Sequence, residues 1–467
     1  MIKMRHSIMM AALVLLTIIL VCPLVSLSAS EKGQSNAPII KSNSVRLLFC
    51  GDLMPHKGVK RSAMEANRKG VNGKSLNYGG FYRTLRDLKS LTEQADVAFC
   101  NLETPVVKPP KGDPYCFTTR GDFFFKAPPV LVDAIKWAGF SVVSIANNHI
   151  DNAGTEGIIS TIEFLKKKDI GVAGAGQTTA LAHSPTIVEV NGVSIAYLAF
   201  CSSRLGSDPN CEDTEKVHVC RVDPRDSSTK ILFEDISYAK SVADIVVLSF
   251  HWGPSEYQYS PSPSTIKLAK ECAERGVSVI AGHHPHVLQK VEHYKCRDGR
   301  KSLIMWSLGN LVSNQSPQYG KGGVSKENLS SSDKAKEEDG ARRREGAAVM
   351  VTLDNGVTFE NKVSNSLPAL SRSSKKPHYN VTNVSFAPLW TDNNYDSYTK
   401  GLEKADVRVI SVDSEMKRLQ NRILFLKERK KRVVLALQGK LEEYVRMQES
   451  AGIEESPEKQ SQIIDTK

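Results

Sequence analysis

Short β-branched apolar runs punctuate the chain, and five of them end in an acid, an Asn or a His. Val45–Cys50 gives way to Gly51-Asp52, and Val97–Cys100 to Asn101-Leu102-Glu103. Ser141–Ala146 ends in Asn147-Asn148-His149, Ile245–Phe250 in His251-Trp252-Gly253, and Val277–Ala281 in Gly282-His283-His284-Pro285-His286. Runs of this length and composition predict strands buried on both faces of a sheet. Polar groups just past the carboxyl ends of such strands meet in one crevice, where α/β proteins place their ligands. Asp, Glu, Asn and His together form a hard-to-borderline donor set suited to one or two divalent cations.

The segments between these strands carry helical periodicity. Helices are predicted over Phe81–Gln94, Pro129–Ala138 (stopped by Gly139), Thr155–Lys168, Ile231–Val242 and Ser264–Arg275. Ile187–Val190 and Val193–Phe200 flank Asn191-Gly192, a strong hairpin signal that inserts an antiparallel pair into an otherwise parallel pattern. Leu303–Trp306 predicts a further strand, ending in Ser307-Leu308-Gly309-Asn310, and Ala347–Leu353 another. Residues 314–345 turn to Ser, Gly, Lys and Glu and read as a mobile insertion in a domain spanning 45–395. Beyond it, residues 396–467 form a charged extension. Leu419, Ile423, Leu426, Val433, Leu437, Leu441 and Tyr444 recur there at helical spacing, for packing on the main domain, for self-association or for a partner helix.

Composition changes this picture in three places. Lys3, Arg5 and His6 precede the apolar stretch Ile8–Leu27 and the small residues Ser28-Ala29-Ser30. Residues 1–30 are therefore expected to be a cleaved signal peptide or a retained membrane anchor, with 31–44 a polar linker. Either way the protein is exported, to the periplasm or the outer face of the cytoplasmic membrane. The net charge of +11 favours polyanionic partners, with Arg342–Arg344 and Lys427–Arg432 as local contributors. No nucleic-acid-binding signature accompanies it, and nucleic acid is not expected as a partner. Of nine cysteines, Cys50, Cys100 and Cys201 lie at apolar strand ends and read as core residues, whereas Cys211 and Cys220, in a polar loop, are the pair expected to bridge if any does. Without a C-x-x-C pair, a thiolate zinc site is not predicted.

His284 and His286 carry the sharpest signal. In an extended segment, residues two apart point to one side, so His-Pro-His offers two imidazoles to one ion, with Pro285 stiffening the segment. Asp52, Glu103 and His251 follow buried strands as further candidate ligands. Asn148 can ligate through its oxygen, and His149 beside it can move a proton at a metal-bound group.

The same motifs, Gly51-Asp52-Leu53-Met54, Asn101-Leu102-Glu103-Thr104-Pro105, Ala146-Asn147-Asn148-His149, His251-Trp252-Gly253, His284-Pro285-His286 and Ser307-Leu308-Gly309-Asn310, resemble the CapA/PgsA family of poly-γ-glutamate capsule-biosynthesis proteins in order and spacing. That family is similar in fold to the calcineurin-like metallophosphoesterases. The resemblance implies an α/β fold, a four-layer α/β/β/α sandwich with a two-metal site at the strand ends. It also implies Asp52, Glu103, Asn148, His251, His284 and His286 as metal-side residues and His149 as proton donor. Asn101, Asn147, Trp252, His283 and Asn310 are expected to support this site or contact substrate. The chain departs from the phosphoesterase pattern at Met54, where that pattern has His, with His56 nearby; at Glu103, where it has Asp; and at Asn152, where CapA-type chains usually carry Asp. These departures lead to an expectation of one tight and one labile ion, of Mn, Zn, Fe or Mg.

Two functions follow as expectations. One is an exported metal-dependent hydrolase acting in synthesis, export or processing of an anionic surface polymer such as poly-γ-glutamate. The other is a non-catalytic component that holds that polymer within a membrane-associated synthase or export assembly.

Overall fold

Side-chain alternation along the strands decides what each face of two mixed sheets meets. The first sheet runs, edge to edge, Val407–Ser411, Asn380–Asn393, Glu345–Asp354, Ser44–Leu53, Val97–Leu102, Val142–Ser144 and Gly171–Ala173, with Asn310–Val312 pairing onto the end of Ser44–Leu53. The second runs Val291–Lys295, Lys301–Met305, Val279–His283, Ile245–His251, Val193–Cys201 and Thr186–Val190. The computed structural model describes residues 44–69, 80–118, 125–202, 218–224, 226–315, 340–355, 378–394, 403–418 and 422–441, with positions 398 and 401. The expected targeting segment 1–30, nearly all of the linker 31–44 and most of the insertion 314–345 lie outside these residues.

Val45, Leu47, Phe49, Val97 and Phe99 of the first sheet pack against Ile195, Tyr197, Ile245, Val247, Val279 and Ala281 of the second. The alternate residues face outwards. Leu48, Cys50, Ala98, Cys100 and Val143 meet helices Phe81–Leu85, Val130–Trp137 and Gly154–Lys166. Leu198, Phe200, Leu248, Phe250 and Ile280 meet helices Ser228–Val242 and Pro263–Arg275. The layers are thus α/β/β/α, as expected. The hairpin forms at Asn191-Gly192, where both residues have positive φ (53° and 76°) as a two-residue turn of primed type requires.

Some expectations need correction. The helix over Phe81–Gln94 is broken into Phe81–Leu85, a 3₁₀ turn at Arg86–Leu88 and Lys89–Thr92. The boundary at 395/396 falls inside the first sheet, because Val407–Ser411 pairs antiparallel with Asn380–Asn393. Helix Ile423–Leu437 spends its apolar face within the chain: Val433, Leu437 and Leu441 join the inter-sheet cluster, and Leu426 packs with Trp390, Ile410 and Val412. Those four side chains are therefore covered by the chain itself; Leu419, Tyr444 and the side chain of Ile423 lie outside the described residues. Nor are the arginine runs simply a solvated basic surface. Arg429 Nη1 and Arg432 Nε reach buried Glu345 at 2.9 and 3.3 Å, Arg344 stacks on Trp390, and Arg342 stacks on Tyr259. Cys220 is a free buried thiol donating to Ala182 O rather than half of a bridge; Cys211 is outside the described residues.

One irregularity positions everything at the strand ends. Phe49 pairs with Phe99 and Asp52 with Asn101, so three steps on one strand match two on the other. This extra residue, a β-bulge, turns Asp52 onto the face of Asn101, where regular alternation would send it towards the helices. Gly51 sits in the bulge against Gly309, and Asp52 N donates to Gly309 O at 3.0 Å. A Cβ at position 51 would lie 2.0 Å from Gly309 O, a backbone atom that cannot step aside. Gly51→Ala is expected to destabilise the fold by about 1–3 kcal/mol or more, as overpacking does; a chemical-denaturation midpoint equal to wild type would contradict the bulge.

Candidate metal centre

Asn101, Glu103, His251 and His283 continue the inward-facing series of their strands past the last apolar residue, so the site is the polar end of the inter-sheet core. All are buried, as is Asp52. The His pair converges differently from the extended geometry predicted. His284 and His286 adopt φ of 94° and 56°, left-handed conformations that cost a non-glycine residue about 1–3 kcal/mol. This backbone folds the segment back, leaving their ring centroids 6.2 Å apart and both imidazoles directed at the same cluster.

Asp52 is saturated by protein. Its Oδ1 accepts from Asn101 Nδ2 (2.9 Å) and lies 3.1 Å from His283 Nδ1. Its Oδ2 accepts from His284 N (3.2 Å) and lies 3.2 Å from His286 Nδ1. Burial pushes its pKa up, but the His283 and His286 imidazoles beside it prevail and hold the carboxyl well below its ordinary range. Glu103 is the opposite case. Neither of its oxygens has a hydrogen-bond partner, although both are buried. Burial first, and the charges of Asp52 and Glu256 next, push its pKa well above the usual carboxylate range.

Three donor atoms gather around His251 Nε2. His251 Nε2 lies 3.3 Å from Glu103 Oε1, 2.8 Å from Asn148 Oδ1 and 3.2 Å from His284 Nδ1. Ligands about 2.1 Å from one ion at tetrahedral angles sit roughly 3.4 Å from each other, and the spacings around His251 Nε2 fall near that value. Asp52, Glu103 and His251 also bring ligand atoms within 4.8 Å of one another. The orphaned Glu103 oxygens decide the fit, since a buried carboxylate without a donor requires either a proton or a cation. The imidazoles are kept neutral and able to ligate. Burial, then His284, lowers the pKa of His251, and burial, then His286, lowers that of His284 to about 4.

His149 stands beside this group. Its Nδ1 lies 3.1 Å from Asn152 Oδ1, which also accepts from Phe125 N at 2.8 Å. Asn152 Oδ1 therefore serves as an acceptor, which assigns the proton to Nδ1 and leaves a lone pair on Nε2. Burial lowers the His149 pKa to about 4. The free imidazole is thus poised to take a proton, and it becomes a donor only once a bound anion favours its charged form.

The remaining expected residues act as supports, with one correction. Asn147 Nδ2 donates to Leu102 O and Asn101 Oδ1, while its Oδ1 accepts from His149 N. Asn310 Oδ1 lies 3.1 Å from His286 Nδ1, and its amide donates to Arg343 O and His286 O. Trp252 does not face the site. Alternation turns it outwards with Phe250, where it stacks on Phe250 and Trp306 and donates to Trp306 O, so it braces the His251 strand from behind. His56 Nδ1 accepts from Asn314 N, and its ring packs edge-on to Phe125. Two participants had no strand-end signal. Glu256 lies in the loop after His251 with Oε1 4.0 Å from His286 Nε2, and Asn152, visible only as a departure from a pattern, fixes the His149 tautomer.

Fold and site together define an α/β/β/α sandwich protein with a candidate metal centre at its strand ends. The profile of bacterial capsule synthesis protein PGA_cap matches residues 46–315, more than half of the chain. The chain belongs to that family. It is 30% identical over 292 residues to capsule biosynthesis protein CapA of Bacillus anthracis, covering 61% of this chain and 64% of that protein. It is 34% identical over 185 residues to PGA biosynthesis protein CapA of Bacillus subtilis (strain 168), covering 39% of this chain and 45% of that protein. It thus spans less than two thirds of the length of either relative. Among solved structures, calcineurin-like phosphoesterase YfkN from Bacillus subtilis aligns over 83% of this chain and 99% of that chain, with 13% identity and a TM-score of 0.39.

In chelator, His149 and His284 are expected to titrate near pH 4 in histidine NMR, far below the ordinary value near 6.5. Because the folded pKa lies below the unfolded one, the stability linked to each is fully present above about pH 6.5 and is lost as pH falls towards 4. Glu103, shifted the other way, opposes this trend. Midpoints near 6.5 would show that the imidazoles are hydrated and the cluster open.

Proposed function

We propose that this chain is a metal-dependent hydrolase acting on an anionic surface polymer of the poly-γ-glutamate type. The observation that carries the reading is Glu103, a buried carboxylate without a donor, ringed by neutral imidazoles and the Asn148 oxygen. Glu103, Asn148, His251 and His284 would hold the cation, with His286 and Asp52 adjoining. A bound divalent ion supplies Lewis-acid polarisation of the scissile group and lowers the pKa of a coordinated water. Asp52 orients His283 and His286 through their Nδ1 atoms. His149 Nε2 takes up a proton as the anionic group arrives and returns it to the leaving oxygen or nitrogen.

The names of the relatives support a role in making or processing a capsule polymer, and family membership makes such a polymer the first substrate to test. The work is placed outside the cytoplasm, with residues 1–30 as signal or anchor and with membrane-associated synthase or export components as partners. Among the described residues no helix is long and apolar enough to cross a membrane, so that placement rests on the N-terminal sequence.

The full chain, purified in detergent and supplied with Mn²⁺, is expected to hydrolyse an aryl phosphate or shorten poly-γ-glutamate. His149→Ala should lower kcat about 10²–10⁴-fold, as loss of a general acid–base does. Glu103→Gln should lose turnover together with Mn²⁺ binding. Salt-sensitive retention of the polymer without turnover, across several metals and unaltered by His149→Ala, would instead identify a non-catalytic polymer-holding protein.

A further inference from the structure

We propose that Glu256 is a ligand of the metal centre, completing from the solvent side a second donor group with Glu103 and His286 Nε2. This rests on reading the strand-end cluster as a metal centre and extends it to a residue outside the strand-end motifs.

The loop carrying Glu256 is fixed over the site at several points. Tyr257 N donates to Pro285 O at 2.8 Å, between the two motif histidines, and Gln289 Nε2 donates to Gln258 O at 2.6 Å. The Arg343 guanidinium stacks 3.7 Å from the Tyr257 ring centroid, and the carbonyl of Arg343 is held by Asn310, the neighbour of His286. Gly253 and Tyr257 both take positive φ, 122° and 59°, and these bends return the chain towards His284 and His286. Glu256 Oε1 arrives 4.0 Å from His286 Nε2.

The chemistry around that nitrogen calls for a cation. His286 Nδ1 faces two acceptors, Asp52 Oδ2 at 3.2 Å and Asn310 Oδ1 at 3.1 Å, so Nδ1 carries the proton and Nε2 a lone pair. A carboxylate behind a histidine in this way is the arrangement that orients metal-ligating imidazoles. The lone pair points to Glu103 Oε1 at 3.7 Å and to Glu256 Oε1. His286 Nε2 and both Glu103 oxygens are buried without hydrogen-bond partners. Two carboxylates and an imidazole lone pair provide no donor for one another, and a shared divalent ion satisfies all three. Glu103 is fully buried, whereas the Glu256 side chain is 35% exposed. Glu256 is therefore the ligand that water can replace. The inner group around His251 holds its ion firmly, and the group closed by Glu256 exchanges.

The test is Mn²⁺ binding to the full chain, purified in detergent and stripped with chelator, followed by the electron paramagnetic resonance signal of free Mn²⁺. Wild type is expected to show a tight and a weaker class of site. Glu256→Gln should weaken the second class about 10–100-fold and leave the first within twofold, with the metal-free Tm unchanged. Glu256→Asp should fall between. If Glu256→Gln binds with both wild-type constants, or loses both classes alike, the assignment of Glu256 is overturned while the metal centre stands. A single class in wild type overturns the second donor group. If wild type binds neither Mn²⁺ nor Zn²⁺, the metal reading itself falls and takes this inference with it.

Discussion

The carboxylate of Asp52 ties the two sheets together at the polar end of their interface. Asp52 belongs to the first sheet through Ser44–Leu53 and accepts from Asn101 on the neighbouring strand. Its other contacts, to His283, the His284 amide and His286, come from the end of a strand in the second sheet and the turn beyond it. This arrangement depends on the bulge at Gly51, because unbroken alternation from Phe49 would place the acid among the helices. A buried negative charge is costly in isolation. Here it is balanced by imidazole and amide donors, so the same contacts that keep Asp52 ionised also fix the orientation of the histidines.

The two central acids divide the labour. Asp52 is satisfied before any ligand arrives, whereas Glu103 is not satisfied by the protein at all. Around Glu103 stand imidazoles that burial keeps uncharged, so the protein itself offers it no full positive charge at neutral pH. A folded chain tolerates such a deficit only at a place where something else supplies the charge. His149, with its tautomer set by Asn152, occupies the margin of this field and responds to whatever anion enters it.

Most of the inner site was legible in the sequence because strand alternation is simple: an apolar run buried on both faces commits the next inward position to the same crevice. Asn101, Glu103, His251 and His283 obey that rule. Trp252 was misplaced because it stands one step out of phase, where alternation sends it to the helices. The convergence of His284 and His286 was correct in outcome but not in cause, since positive φ values are not encoded by residue type at a His. Glu256 was invisible because a loop carries no period. Helix Lys57–Lys69 and strand Asn380–Asn393 were missed for a similar reason, as their polar residues dilute the apolar signal.

The sheet does not end where the family likeness does. Residues 46–315 contain every inner donor, yet the antiparallel neighbour of Ser44–Leu53 is Glu345–Asp354, itself flanked by Asn380–Asn393. Glu345 opens that neighbour as a buried acid, and its counter-charges, Arg429 and Arg432, arrive from a helix much later in the chain. A fragment trimmed to the recognisable segment would therefore expose the backbone edge of Ser44–Leu53 and leave three of the eight strands of the first sheet behind. The segment beyond residue 315 belongs to the sheet that carries Asp52 and is no appendage to it.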